Sequence, residues 1–255
     1  MPQRTSSAPV AGSRVRRGAG VLLLVAALVT AVAVAWRPVG AWVRAVGVPC
    51  TVVVEGERVP LSRTEARVAT AEAAQGLGGP GAGGGPVDGG EASGWDLPAG
   101  VVEAVGSARA DTALTCRVPV ADPAAEEMTG SGLTPRAQAV LDAVRSEVGE
   151  LPVGGFAPGG VGSGHGEEST HYDGRAVDVF FRPVTEEHLD EGWVLSQWLV
   201  ARADDLTVQY VIFDDHFWGV RGSGGGWQDY RAPGGSDDPV LRHLDHVHVD
   251  VLRGE

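Results

Sequence analysis

The sequence predicts an α+β fold: a small, mostly antiparallel sheet with helices packed against one side. Three observations carry this. Ala176-Val-Asp-Val-Phe-Phe and His246-Val-His-Val-Asp-Val-Leu alternate in period two, as strands with one apolar face do. Thr207-Val-Gln-Tyr-Val-Ile-Phe is the most β-prone run of the chain and reads as a central strand. Around residues 134–148 and 185–200, helix-capping threonines are followed by apolar residues at helical spacing.

In chain order, residues 1–18 are an Arg-rich tail, with Arg4, Arg14, Arg16 and Arg17 ahead of an apolar run from Ala19 to Trp36. A helix over that run is about 27 Å long, close to the hydrocarbon thickness of a bilayer. The expectation is a transmembrane signal anchor over 19–36, single-pass in the cell membrane. The arginine excess before it puts the N-terminus inside and the C-terminal domain outside the cytoplasm. Ala31-Val-Ala33 offers a cleavage site, so a secreted body after signal removal is the alternative.

Charge divides the same way. Residues 1–44 hold six Arg and no acid, which leaves 14 Arg against 33 acidic residues, a net charge of −19, for the body. Phosphate contact needs a basic surface, so nucleic acid is excluded as a partner. All 20 basic residues are Arg, a usage that suggests a high-GC genome.

Residues 45–118 read as a small extracytoplasmic region. Cys50 and Cys116, the two cysteines of the chain, would face an oxidising compartment. A bond between them would span 66 residues and stabilise by about 4 kcal/mol in the chain-entropy picture. Two unpaired buried thiols are the alternative. A hairpin is expected around Glu55-Gly56, and Ser62-x-x-Glu65 is a capping box opening a helix to about Gln75. Gly76 to Ser93 reads as a Gly/Pro-rich linker, Pro98–Arg109 as a second helix and Ala113–Val118 as a strand. The region is a disulfide-tied accessory domain or a spacer, and it holds no catalytic constellation.

A second linker, 119–132, leads to the main domain, 133–255. Thr134 caps and Pro135 opens a helix burying Val140, Leu141, Val144 and Val148. Leu151–Phe156 suggests a strand. The Gly-rich stretch 157–170, with His165, Glu167 and Glu168, reads as a solvated loop. Thr185 caps the next helix, with Trp193 and Trp198 in the core and His188 on its surface. Asp214, Asp215 and His216 make a turn or a site. Residues 221–239 form a polar loop that would wall a cleft, and Arg242 and His243 precede the last strand.

The chemistry concentrates on two strands. Asp178 is an acid inside an apolar strand, costly to bury unless paired. It shares a face with Ala176 and Phe180, while His246, His248 and Asp250 share a face of the last strand. His171 precedes Asp178 across Gly174, which permits a tight turn. Zinc takes about four ligands from His nitrogen, Cys sulfur and carboxylate oxygen, with one position left open for water in catalytic sites.

Ser169-x-His171-x-x-Gly174-x-Ala176-x-Asp178, with the later His246-Val-His248, resembles the SxHxxGxAxD signature of VanY-type D-alanyl-D-alanine carboxypeptidases. These belong to the wider group of lysostaphin, D-Ala-D-Ala metallopeptidases and the hedgehog signalling domain. The resemblance covers roughly residues 133–252. It implies a hedgehog/DD-peptidase-like fold, Zn2+ held by His171, Asp178 and His248, and a peptidoglycan peptide as substrate. It further implies that His246 stands near the catalytic water and that Trp227 and Tyr230 contact substrate. Carboxypeptidase relatives carry Glu three residues before the last His, where this chain has Asp245. The proton-transfer residue is therefore His246 or Asp245, and carboxypeptidase and endopeptidase action both stay open. A non-catalytic, zinc-stabilised module binding the cell wall or another protein is the alternative function.

Overall fold

The computed structural model describes residues 49–77, 96–166 and 168–255. The expected tail and membrane anchor, and most of the Gly/Pro-rich linker, lie outside the described residues. No helix among the described residues is long and apolar enough to cross a membrane.

The fold is α+β, and every strand pairing in it is antiparallel. The first sheet has three strands: β1 (Cys50–Val54), β2 (Glu57–Leu61) and β3 (Thr115–Cys116), ordered β2-β1-β3. Glu55 (φ 50°) and Gly56 (φ 84°) are both left-handed, the turn that suits the twist of a two-residue hairpin. Cys50 stands opposite Cys116 across β1 and β3 and is disulfide-bonded to it. The expected 113–118 strand shrinks to two residues because the Leu114 amide donates to the Gln197 side chain instead of to a neighbouring strand.

Helix α1 (Arg63–Ala74) begins at Ser62, whose capping box with Glu65 closes in both directions. Helix α2 (Val101–Ser107) is shorter than the sequence suggests and starts after left-handed Gly100. Helix α3 (Pro135–Ala143) is capped by Thr134 and runs into a π turn over Val144–Val148, which keeps Val144 and Val148 on the buried side.

The main sheet orders β4 (Val153–Gly154), β5 (Ala176–Phe180), β9 (His246–Val251), β6 (Val208–Phe213), β7 (His216–Gly219) and β8 (Gln228–Asp229) as β4-β5-β9-β6-β7-β8. β4 is shorter than the strand expected over 151–156, because Gly155 turns away at φ +80°. The β6–β7 turn is Asp214-Asp215, both left-handed, so these acids build a hairpin. Asp214 accepts from the Trp193 indole at 2.8 Å, and Asp215 pairs with Arg242.

Helix α4 (Glu186–Ala201) packs on the valine face of this sheet. Val177, Val179, Val211, Phe213, Val247, Val249 and Val251 meet Trp193 and Trp198 in one core. Each such aliphatic or phenylalanine side chain contributes about 1.5–3 kcal/mol relative to exposure. Every residue of α4 from Gly192 to Ala201 is buried, because the helix is covered on its second side by α1 and α2. Gln197 joins the layers. Its amide accepts from Leu114 N–H at 2.8 Å and donates to Val105 O at 2.9 Å. Val48–Glu255 accordingly form one compact unit, and residues 50–118 share its core. The segment 119–132 has no regular element, yet Arg136 binds Ala124 O and Glu126 along it.

Candidate metal centre

β5 and β9 pair so that Asp178 faces His248, Phe180 faces His246 and Ala176 faces Asp250. Residues directly opposite in an antiparallel pair have Cβ atoms about 4.5–5.5 Å apart, so their polar tips can meet. The valines go to the α4 side, and the His and Asp side chains go to the opposite side. There β9 is covered by loops, and all six of its residues are buried.

His171 reaches the same point from the turn 170–174, which closes through Gly174 at φ +66°. Its Nε2 lies 3.1 Å from His248 Nδ1 and 3.2 Å from Asp178 Oδ1, and His248 Nδ1 lies 3.1 Å from Asp178 Oδ1. This triangle cannot be satisfied by hydrogen bonds alone. The carboxylate can accept from both rings, but the two ring nitrogens then point N–H against N–H. A shared cation removes the conflict. Tetrahedral bonds of 2.0–2.2 Å place ligand atoms about 3.3–3.6 Å apart, near the observed edges, and N, N and O are donors that zinc accepts. His171, Asp178 and His248 therefore fit a metal ion. Burial would raise the Asp178 pKa, but hydrogen bonds from His171 and His248 prevail and hold the carboxyl well below the usual range.

Glycine makes room beneath the donors. A Cβ at Gly155 would stand 2.2 Å from His171 Cε1 and 2.9 Å from Asp178 Oδ2. Above them, the Tyr210 ring stacks on His248 at 5.7 Å.

His246 sits beside the triangle, with Nε2 3.8 Å from Asp178 Oδ1. Its Nδ1 is 2.7 Å from Asp245 Oδ1, and Asp245 Oδ2 accepts from Arg182 Nε at 2.6 Å. Burial opposes ionisation of Asp245, but His246 and Arg182 together lower its pKa. Asp245 is thus directed at His246. His243 packs against the rings of His246 (4.7 Å) and His248 (5.6 Å); desolvation first, then those histidines, push its pKa down to about 3. Asp250, fully buried, pairs with Arg175 at 2.9 Å.

The donors lie in a cleft of ≈ 420 Å³. Tyr230, Val240 and Leu241 flank one side, and Gly164, His165 and Glu168 the other. His165 was expected in a solvated loop, but its ring stacks on His171 at 4.1 Å. Its donor atom lies within 4.8 Å of those of His171 and Asp178, so it joins them in a group able to hold a metal ion. The loop is held inward by Tyr172, whose hydroxyl donates to His165 O and accepts from His165 N–H. Periodicity is silent inside a loop; the flanking Gly164 and Gly166, which let a backbone fold close, were the available signal. Trp227, paired with Tyr230 in the sequence reading, lies elsewhere. Its indole donates to Leu114 O at 3.1 Å and its ring packs edge-on against Trp193, away from the residues that line the cleft.

A protein-family model described as the VldE C-terminal domain matches residues 129–240. That span is under half of the chain; it contains His165, His171 and Asp178 and stops short of His246 and His248. No curated protein and no solved structure matches the chain.

Proposed function

We propose that the protein is a membrane-anchored, extracytoplasmic zinc peptidase of the VanY type that hydrolyses peptidoglycan peptides. The observation that carries this reading is the donor triangle of His171, Asp178 and His248 on the floor of an open cleft, with a fourth histidine oriented beside it by a carboxylate. The VldE likeness is compatible with the reading but covers only the first half of the donor set.

Zinc held by the three donors would polarise the scissile carbonyl and make water nucleophilic near neutral pH. The remaining steps belong to the chain. His246 Nε2 takes a proton from the attacking water and delivers it to the departing amine, so one amide becomes one carboxylate and one amine. Asp245 accepts from His246 Nδ1–H, which fixes the tautomer that leaves Nε2 free to act. Arg182 holds Asp245 in that position. Val240 and Leu241, 48 % and 42 % exposed, offer an apolar edge suited to small side chains such as alanine.

Metal analysis of the purified chain beside His248→Ala tests the site. One zinc per chain, lost in the variant, together with release of D-alanine from muropeptides supports the reading; a chain that binds no zinc when metal-replete sinks it. A non-catalytic zinc module is favoured by one observation, the stacking of His165 on His171, because a fourth protein ligand would close the site. Cobalt-substituted protein separates the two: water exchange at the metal indicates an open site, and its absence a closed one.

A further inference from the structure

Among the described residues lining the cleft, Arg182 is the single Arg or Lys, in a body whose charge is strongly negative. The guanidinium is held from two sides. Nε donates to Asp245 Oδ2 at 2.6 Å, and Cζ lies 4.1 Å from the centre of the Phe180 ring. Both contacts fix the group without using its outer edge. The side chain is 51 % exposed, and its two Nη groups have no protein partner among the described residues. Such an edge presents two parallel N–H donors, the geometry that carboxylates match.

Arg182 and Phe180 also line a neighbouring cavity of ≈ 390 Å³, together with Leu151, Pro152, Phe181, His188 and Glu191. Their stacked pair therefore stands between the two cavities, and a polypeptide continuing past the metal donors would have to cross it.

We infer that Arg182 is a specificity residue that binds the free C-terminal carboxylate of the substrate, so that the cleft takes peptide ends and removes one terminal residue. This rests on the peptidase reading above. The spacing is suitable. One residue separates the scissile carbonyl from the terminal carboxylate, about 3.8 Å, and a charge-assisted hydrogen bond adds about 2.8 Å. Arg182 lies beyond His246 on the same floor, linked through Asp245 by contacts of 2.7 and 2.6 Å. An amide-capped or interior peptide has no anion to offer there.

The test compares acyl-D-Ala-D-Ala as the free acid with its C-terminal carboxamide. Full-length zinc-loaded protein should hydrolyse the acid and be poor on the amide. Arg182→Gln should raise KM for the acid about ten- to a hundredfold and leave the amide nearly unchanged. Arg182→Lys should recover part of the loss. Unaltered zinc content and Tm in both variants exclude misfolding. Calorimetric titration of the same peptides into chelated protein, which cannot turn them over, should show tighter binding of the acid in wild type, and that preference should vanish in Arg182→Gln. Equal hydrolysis of acid and amide by wild type overturns the inference while leaving the peptidase reading intact. An equal fall in kcat on both peptides in Arg182→Gln, with binding unchanged, also overturns it, since Arg182 would then only position Asp245. Hydrolysis of neither peptide by wild type, without acid-selective binding, removes both readings.

Discussion

Gly155→Ala is the most informative single change. The residue has φ +80°, where a Cβ costs about 1–2 kcal/mol, and the added methyl would lie 2.2 Å from His171 Cε1, 2.5 Å from its Nδ1 and 2.9 Å from Asp178 Oδ2. Ordinary contact begins near 3.4 Å, so the His171 ring must retreat by roughly 1 Å. The edges of the donor triangle are 3.1–3.2 Å, and metal sites need their ligands within about 0.5 Å of the productive position. The expectation is a fall in zinc affinity of at least about a hundredfold, beyond most outer-shell substitutions. The metal-free Tm should drop by only a few degrees, because β4 is a two-residue edge strand and little core depends on it. Competition with a chromogenic chelator measures the first quantity, and thermal circular dichroism the second. Wild-type zinc affinity in Gly155→Ala would refute the claim that backbone packing under His171 and Asp178 sets the donor geometry.

Three further outcomes follow from the structure. Asp245→Asn should retain one zinc per chain but lose about a hundredfold or more in kcat, since His246 Nδ1 loses its carboxylate; full activity with full zinc would exclude His246 as the proton carrier. Gln197→Leu should destabilise by about 2–4 kcal/mol in urea unfolding, because Leu114 N–H and Val105 O are left buried without partners, and a change under 0.5 kcal/mol would mean the two layers are held otherwise. In chelated protein, His243 should make stability fall with acidity. Its folded pKa is about 3 against about 6.5 unfolded, so the unfolded chain binds the extra proton between those values. Its contribution is complete above pH 6.5 and declines below it by at most about 1.4 kcal/mol per pH unit; His243→Asn should flatten that slope.

Much of this architecture is legible in residue order, and the legible parts share a cause. Alternation is a two-residue rule, so Asp178, His246 and His248 declare their common face without tertiary knowledge. Caps are equally local, which is why Ser62, Thr134 and Thr185 mark the helix starts that form. What stayed hidden depends on distant partners. Gln197 reads as one more residue in a helical stripe until Leu114 and Val105 arrive from the other layer. Trp227 reads as a cleft aromatic because nothing nearby announces that its N–H is taken by Leu114. His165 lies in a loop without periodicity, and only the fold of 164–172 brings it over His171.

The cross-strand meeting of Asp178 and His248 has a further consequence. Seventy positions separate them, and they coincide at a single register of β5 against β9. A slip by one residue would turn valines into the cleft and send carboxylate and imidazole against the tryptophans of α4. No misaligned sheet can assemble the donor triangle. Bound metal would then act as an inspector of folding: exported chains that take it up have aligned their strands, and those that have not are left without its stabilisation, open to proteolysis.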